Sequence, residues 1–305
     1  MSEEDRVPVD PLTLPGKLRA SIEAAAEEMD AKRGLPGALV AELRASGIFR
    51  LHTPRELGGA EASSVTVMRV YEELARIDAS VAWVVANGNA GLLASRMEQA
   101  GIDRIWGTGT EPIFANSTGR PGPAIPVEGG YRVSGHYKVI SGIGAADWLW
   151  VAVVNVDDSR DVRYAALPRE DWSVQDTWDT TGARGTGSHD VLVEDAFVPS
   201  ELAVDLSRPT LINRPVYRGL ARRFMAPGAS AVALGVAQQA IEEIILLAPT
   251  KRTVTVWPNS PMHRALWPGP RSPCERRAIC STPCWRNWTR RPRGMRRRPS
   301  RTWPR

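Results

Sequence analysis

The spacing of the hydrophobic residues changes near Pro112, and this change limits the folds open to the chain. Before it, apolar residues recur at helical intervals, as in the segment that contains Val67, Val70 and Leu74. After it, apolar residues alternate with polar ones or form short uninterrupted runs, which is typical of β-strands. A helical part followed by a strand part predicts an α+β fold.

Residues 12–110 are expected to form an N-terminal helical domain. Ser63 or Ser64 suits the N-cap of its clearest helix, because a serine hydroxyl accepts a hydrogen bond from a backbone N–H of the first turn. Asp78 is expected to end that helix or to cap the next one. The segment 79–97 is apolar on nearly every side, which predicts a buried helix.

Residues 111–205 are expected to form a middle β domain. Residues 124–127 and 131–139, separated by Glu128-Gly129-Gly130, predict a β-hairpin. Three further strands are predicted at residues 148–154, 162–167 and 190–198. This many short strands in roughly ninety residues predict a small barrel or sandwich.

Helical spacing returns from about Tyr217 to Leu247. Pro227 is expected to start this helix or to bend it, because proline lacks the backbone N–H that a helix interior uses. An apolar stripe on the helix consists of Ala233, Val236, Ile241 and Ile244.

Residues 251–305 differ from the rest of the chain and are expected to be an aberrant, disordered tail. From residue 253 onward the sequence holds 13 Arg, no Lys and the single acid Glu275, a local charge of +12. One interpretation is a basic tail for nucleic acid. We favour a shifted reading frame, because in the shifted frame the codons of Cys284-Trp285 and of Asn287-Trp288 both encode Leu.

The sequence before the tail excludes several function classes. Net charges of +5 for the chain and +12 for the tail leave −7 on the first 252 residues, which contain no Cys. No His or acidic pair there has metal-ligand spacing, and no glycine-rich phosphate loop precedes a helix. The acidic N-terminus does not suit a signal peptide, and no run approaches the roughly 20 apolar residues of a membrane helix. We therefore expect a cytoplasmic protein that binds neither a membrane nor nucleic acid.

Three stretches together resemble a known family. They are LRASGIFRLHTPRELGGAEASSVTVMRVYEELARIDASVAW at 43–83, GGYRVSGHYKVISGIGAADWLWVAVV at 129–154, and WDTTGARGTGSHDVLVEDAFVP at 178–199. Over about residues 15–250 the chain resembles the acyl-CoA dehydrogenase superfamily, and within it the flavin-dependent monooxygenases of the two-component hydroxylase branch. The third stretch is the most specific of the three.

This resemblance implies a helical N-terminal domain, a middle β-barrel-like domain for flavin and substrate, and a C-terminal helical bundle. Residues 214–250 would be the start of that bundle, with the remainder lost. It also implies a flavoprotein that uses FAD or FMN, acts on a small-molecule substrate and forms a homotetramer. In the monooxygenase branch a separate flavin reductase supplies reduced flavin, and oxygen hydroxylates the organic substrate.

Two other functions stay open. One is an acyl-CoA dehydrogenase, which oxidises a CH–CH bond, and the other is an inactive truncated fragment. Dehydrogenases carry a catalytic Glu in the bundle and many monooxygenases a His, so the resemblance names no catalytic residue here. The segment Asn116-Ser117-Thr118-Gly119 replaces the acid-Gly-Ser-Asp loop that is usual in dehydrogenases, and this departure favours the monooxygenase.

The resemblance also suggests cofactor-binding residues. Ser141 occupies the position of a dehydrogenase Thr that meets the flavin ring, and Gly142 would let the ring approach the backbone. Asn116 and Ser117 occupy the first flavin-contacting loop. By themselves these residues also suit a turn after a strand and a polar loop before a hairpin.

Further candidates lie outside these two loops. Arg184 would meet a flavin phosphate or a substrate anion, or else anchor its loop to a carboxylate such as Asp190. Trp83 and Trp148 would wall the flavin or substrate pocket, with burial in the core as the alternative. His189 is interpreted as a structural hydrogen-bonding residue that shapes its loop rather than as a catalytic one.

Overall fold

The computed structural model describes residues 10–109, 111–218 and 225–248. Contacts divide the chain into a unit from Met1 to Ile244 and a second from Ile245 to Arg305. Of the second unit, residues 245–248 are described, and they end the last helix. The prediction of a disordered tail at residues 251–305 lies outside the described residues.

Helices come first in the chain, as predicted. They are α1 (Leu14–Ala24), α2 (Ala26–Lys32), α3 (Gly37–Ala45), α4 (Ser64–Ile77), α5 (Ala79–Gly88) and α6 (Gln99–Trp106). The apolar faces of α1 to α5 meet in one core, in which Leu43, Val70 and Leu74 are fully buried, whereas α6 packs on the core of the sheet. Because helices this short are marginal in water, this burial supplies most of their stability.

Two predicted helix caps are confirmed. Ser63 Oγ accepts a hydrogen bond from Thr66 N at 3.1 Å and starts α4. Asp78 ends α4 and also caps α5, because its carboxylate accepts a hydrogen bond from Val81 N at 2.9 Å.

The helix predicted for residues 79–97 is shorter than expected. It ends at Gly88, and residues 90–96 form 3-10 turns. Asn89 accounts for the break, because its fully buried amide accepts from Leu51 N and donates to Ile48 O, each at 2.9 Å. A side chain that satisfies a neighbouring loop competes with continued helix, and hydrophobic spacing does not reveal such a bond.

The strands form one curled, mixed sheet, which makes half a barrel. They are β1 (Phe114–Val127), β2 (Gly130–Tyr137), β3 (Trp148–Asn155), β4 (Val162–Pro168), β5 (Ser173–Gln175), β6 (Asp190–Pro199) and β7 (Ala203–Val204). Their order across the sheet is β5-β6-β2-β1-β3-β4-β7. The predicted β1–β2 hairpin and the strands near 148, 162 and 190 are confirmed.

One strand pairing has no signal in the sequence. The first half of β1 runs parallel to β3, with Asn116 beside Trp150. This part, FANSTGRPGP, lacks the alternation of a typical strand and has a single β-branched residue, Thr118. Its partner β3 is deeply buried at Trp150 and Val151. The pairing therefore depends on tertiary context, which overrides local β-propensity.

The last helix, α7 (Met225–Leu247), packs closely on α4. Pro227 lies in its first described turn, a position that proline tolerates. Gly235 is so near α4 that an added Cβ would lie 2.2 Å from the carbonyl oxygen of Glu72. Arg76 of α4 also pairs with Glu242 at 2.7 Å.

Part of the surface of α7 is apolar and exposed. Val236, Ile241 and Ile244 are 41%, 44% and 55% exposed. By length and composition alone, residues Gly228–Leu247 could cross a membrane, with a mean hydropathy of 1.4. This is weak evidence for a membrane span, because a core helix of a soluble protein passes the same test and α7 packs on α4.

The contact at Gly235 generates a stability prediction. Gly235→Ala gains about 1 kcal/mol of helix propensity, but the new Cβ meets a backbone carbonyl that cannot yield without a helix shift, at about 1–3 kcal/mol. We expect a net loss of about 1 kcal/mol in the free energy of unfolding, measured by urea denaturation. Gly16→Ala in α1 is the matched control, because an added Cβ there meets nothing within 4 Å. Equal effects at the two positions would contradict the close packing.

The buried His52 generates a pH prediction. Burial lowers the pKa of His52 from 6.5 to about 4. In the unfolded chain His52 is protonated below pH 6.5, whereas in the folded chain it stays neutral down to about pH 4. Stability is complete above pH 6.5 and falls by up to about 3 kcal/mol as the pH drops to 4. Urea denaturation should show that His52→Gln loses less free energy of unfolding between pH 7 and 5 than the wild type does. Parallel pH dependences of the two proteins would refute the role of His52.

Candidate functional site

Ser141 lies in a buried turn between β2 and β3, facing α5. Trp83 Nε1 on α5 donates to Ser141 Oγ at 2.9 Å, and Ser188 Oγ lies 2.8 Å from the same oxygen. Ser141 is 7% exposed. This hydroxyl therefore joins a helix, a turn and the glycine-rich segment that precedes β6.

Gly142 lets the turn come close to α5. Its φ of 76° lies in the left-handed region, and an added Cβ would lie 2.9 Å from Val84 Cγ1. Its N–H donates to the carbonyl of Thr186 at 2.8 Å. A side chain at this position would be strained by the backbone angle and would also collide with α5.

The approach to this turn is itself strained. Val139 has a φ of 58°, a left-handed conformation that costs a β-branched residue about 1–3 kcal/mol. Its N–H donates to Asp190 Oδ1 at 3.0 Å, and the next N–H, of Ile140, donates to His189 O at 2.9 Å. Asp190 also contacts His136 Nε2 at 2.9 Å. Several bonds thus hold a backbone shape that the sequence alone disfavours.

Asn116 is connected to the same turn through α5. Its Nδ2 donates to Asn87 O at 3.0 Å, and Asn87 Nδ2 donates to Trp83 O at 2.7 Å. Asn116 is 5% exposed, and its Oδ1 has no hydrogen-bond partner among the described residues. Asn87 O takes one of the two N–H groups of Asn116 Nδ2, and Oδ1 is left as a buried acceptor. Ser117 follows on β1, where its carbonyl accepts from Tyr164 OH at 3.2 Å.

Arg184 anchors its loop to α2. Its guanidinium donates to Asp30 O at 3.0 Å and to Thr180 O at 2.8 Å, and it lies 3.3 Å from Asp179 Oδ1. The carboxylate that the sequence analysis suggested as its anchor, Asp190, bonds to Val139 and His136 instead. Arg184 therefore anchors its loop, which was one of the two roles that the sequence suggested, but its partners are Asp30, Thr180 and Asp179 rather than Asp190.

The two tryptophans differ in their surroundings. Trp83 belongs to the hydrogen-bonded site at Ser141. Trp148 is the first residue of β3, where it pairs with Phe114 of β1 and Pro168 of β4. Its side chain is partly buried and packs on the core of the sheet. None of its described contacts brings it to Ser141. The structure therefore brings together Trp83, Ser141, Gly142 and Asn116, but not Trp148.

His189 shapes its loop, as the structural interpretation expects. Its Nδ1 accepts from Thr177 N and Trp178 N, both at 3.2 Å. These bonds hold the start of the glycine-rich loop beside the ring.

Three site residues were not found from the sequence. Asn87 follows Trp83 by four positions on α5, so helical spacing places both on one face. Thr186 and Ser188 lie in the GTGS segment, where their hydroxyls are buried. The signal that could have found them is a run of small hydroxyl residues beside a glycine-rich turn.

Comparison with known proteins gives a family match for the N-terminal part of the chain. Residues 17–103 match the model of the acyl-CoA dehydrogenase N-terminal domain. The N-terminal part of the chain is therefore an acyl-CoA dehydrogenase N-terminal domain. This confirms the resemblance seen in the sequence.

Flavin-dependent monooxygenases are among the proteins similar to this chain. The chain is 30% identical to indole-3-acetate monooxygenase of Pseudomonas putida over 230 residues, covering 75% of this chain and 59% of that protein. It is 31% identical over 202 residues to the oxygenase subunit HsaA of the flavin-dependent monooxygenase of Rhodococcus jostii, covering 65% and 53%. The solved structure of XiaF from Streptomyces sp., in complex with FADH2 and glycerol, matches with a TM-score of 0.73 and 29% identity, over 81% of this chain and 65% of that one. The chain thus spans less than two thirds of the length of these relatives.

The backbone at Gly142 generates a site prediction. Gly142→Ala should lower the free energy of unfolding by about 2 kcal/mol or more, because the left-handed backbone and the contact with Val84 both oppose a Cβ. Gly144→Ala is the matched control two residues away, since nothing lies within 4 Å of its added Cβ and it should change stability by less than about 0.5 kcal/mol. Thermal and urea denaturation would measure both. A neutral Gly142→Ala would mean that the turn can move away from α5.

Proposed function

We propose that this protein is the oxygenase component of a flavin-dependent monooxygenase that hydroxylates a small organic molecule. The observation that carries the proposal is the turn at Ser141 and Gly142, held against α5 by Trp83. The names of the similar proteins support it, since they are flavin-dependent monooxygenases.

The residues at this turn fit a flavin. A flavin ring needs a close approach to backbone, polar atoms for its N–H and carbonyl edge, and apolar walls. Gly142 brings the turn of Ser141 against α5, where Val84 and Trp83 supply apolar surface. Asn116 Oδ1 is a buried acceptor with no partner among the described residues, which suits an N–H of the ring. The cofactor would be FAD or FMN.

The chain's own residues would bind and orient this cofactor. When bound in its reduced form, the flavin supplies the electron pair that activates oxygen, so that one oxygen atom enters the substrate and the other leaves as water. Ser141 and Asn116 would hold the polar edge of the ring. The close packing of the turn on α5 would keep water from that edge, which is how such sites avoid wasteful side reactions.

The partners follow from the same proposal. An oxygenase component needs a separate reductase that delivers reduced flavin, in keeping with the description of the Rhodococcus jostii relative as an oxygenase subunit. The enzyme would be soluble and cytoplasmic. A homotetramer or other homo-oligomer would cover exposed apolar side chains of α7, such as Val236 and Ile241.

The test distinguishes oxygen chemistry from dehydrogenation. The protein is mixed with photochemically reduced FMN or FAD and then with oxygen, and the flavin absorbance is followed by stopped flow. We expect a transient spectrum, different from both the oxidised and the reduced flavin, that free flavin does not show. With indole-3-acetate as a first trial substrate, label from ¹⁸O₂ in a hydroxylated product would demonstrate hydroxylation directly.

Two outcomes would overturn the proposal. Anaerobic bleaching of bound oxidised flavin by a short-chain acyl-CoA, without any transient under oxygen, would indicate a dehydrogenase. Absence of flavin binding would indicate that this chain is not a flavin enzyme.

A further inference from the structure

In the series of hydrogen bonds that runs from Trp83 through Ser141 to Ala183, the donor of each bond can be assigned. An indole N–H can only donate, so Ser141 Oγ accepts from Trp83 Nε1. At the other end, Thr186 Oγ1 lies 2.8 Å from the carbonyl oxygen of Ala183, which can only accept. Thr186 therefore uses its single hydroxyl proton in that bond.

Ser188 connects the two ends. Its Oγ lies 2.7 Å from Thr186 Oγ1 and 2.8 Å from Ser141 Oγ. Because Thr186 has no proton left, Ser188 must donate to Thr186, and Ser141 must then donate to Ser188. We call Ser141, Ser188 and Thr186 the hydroxyl series. All three are buried, at 7%, 2% and 3% exposure, so water does not compete for these bonds.

We propose that the hydroxyl series makes Ser141 a hydrogen-bond acceptor toward the cofactor, so that the site selects reduced over oxidised flavin. The inference rests on the proposed function, because it needs a flavin whose N5 meets Ser141. N5 of reduced flavin carries a hydrogen, whereas N5 of oxidised flavin carries a lone pair. Ser141 has one lone pair left and no free proton, so it matches the reduced form.

Oxidised flavin could bind in the same way only at a cost. Ser141 would have to turn its proton toward N5, and Ser188 would then lose a donor in a buried place where water cannot replace it. Thr186 touches no flavin in this scheme and acts through Ser188, so it is a positioning residue. One hydrogen bond of this kind corresponds to roughly a fivefold difference in affinity.

The test compares the affinities of the two redox states. Dissociation constants of oxidised and anaerobically reduced FMN are measured by equilibrium dialysis, and the experiment is repeated with FAD. Wild-type protein should bind the reduced form about fivefold more tightly. The midpoint potential of the bound flavin should then lie about 20 mV above that of free flavin.

Substitutions in the hydroxyl series should remove this preference without removing the site. Thr186→Val is isosteric but offers Ser188 no acceptor, so Ser188 can donate to Ser141 and leave the Ser141 proton for oxidised N5. Ser188→Ala frees that proton directly. In both variants the affinity ratio should approach one, while Thr186→Ser, which keeps the hydroxyl, should retain the preference.

The matched control lies in the same glycine-rich segment. Thr180 Oγ1 donates to Gly182 O at 2.8 Å, as Thr186 does to Ala183 O, but Thr180 is only partly buried and belongs to no hydroxyl series. Thr180→Val should leave the ratio of affinities unchanged. Circular dichroism of all variants separates a change in ratio from a change in fold.

The outcomes separate this inference from the proposed function. Equal affinity of the wild type for both redox states, or a preference that survives both Thr186→Val and Ser188→Ala, would overturn the hydroxyl series as the cause while leaving a flavin enzyme. Failure of the wild type to bind either redox state would overturn the proposed function and this inference together.

Discussion

The hydrogen bond from Trp83 to Ser141 is the interaction on which the candidate site depends. It joins the helical part of the chain to the sheet at the turn after β2. The bond can form only because Gly142 has no side chain, since Val84 already occupies the space that a Cβ would need. A steric constraint between a helix and a turn thus comes first, and the polar geometry of the site follows from it.

The turn keeps its shape because several weak constraints agree. The segment 139–142 receives or donates hydrogen bonds at successive positions to the segment 186–190, and the carboxylate of Asp190 adds a bond to the strained Val139. Each bond contributes only about 1 kcal/mol, which is comparable to the cost of one left-handed β-branched residue. Together they exceed that cost. Arg184 adds stiffness from the other side, because it ties the glycine-rich segment to α2.

The sequence predicts the order of elements well, because periodicity and caps are local properties. Ser63 and Asp78 behave as their chemistry requires. The failures are non-local: Asn89 ends a helix through a loop distant in sequence, and the parallel pairing of β1 with β3 has no local pattern. These features arise only when the chain is folded, so no window of the sequence contains them.

The same distinction applies to the site. The family resemblance singled out Ser141, Gly142 and Trp83, which the structure brings together, but it gave Trp148 the same weight although Trp148 packs on the sheet core. Thr186 and Ser188 were missed because a small hydroxyl residue in a glycine-rich loop has many possible partners. Which partner it takes is decided by the tertiary fold.

The polar atoms that this site leaves for a ligand share one character. Asn116 Oδ1 is buried and has no partner among the described residues, and Ser141 presents a lone pair because the hydroxyl series takes its proton. Both atoms are therefore acceptors. A ligand that satisfies them must bring N–H or O–H groups to two points. A reduced flavin ring has N–H groups at N3 and N5, whereas an oxidised ring keeps only the one at N3. The hydrogen-bond acceptors that the protein leaves free, rather than its charge, would thus distinguish the two forms of the cofactor. Arg184, a cation near this site, is already engaged by Asp30 and Thr180.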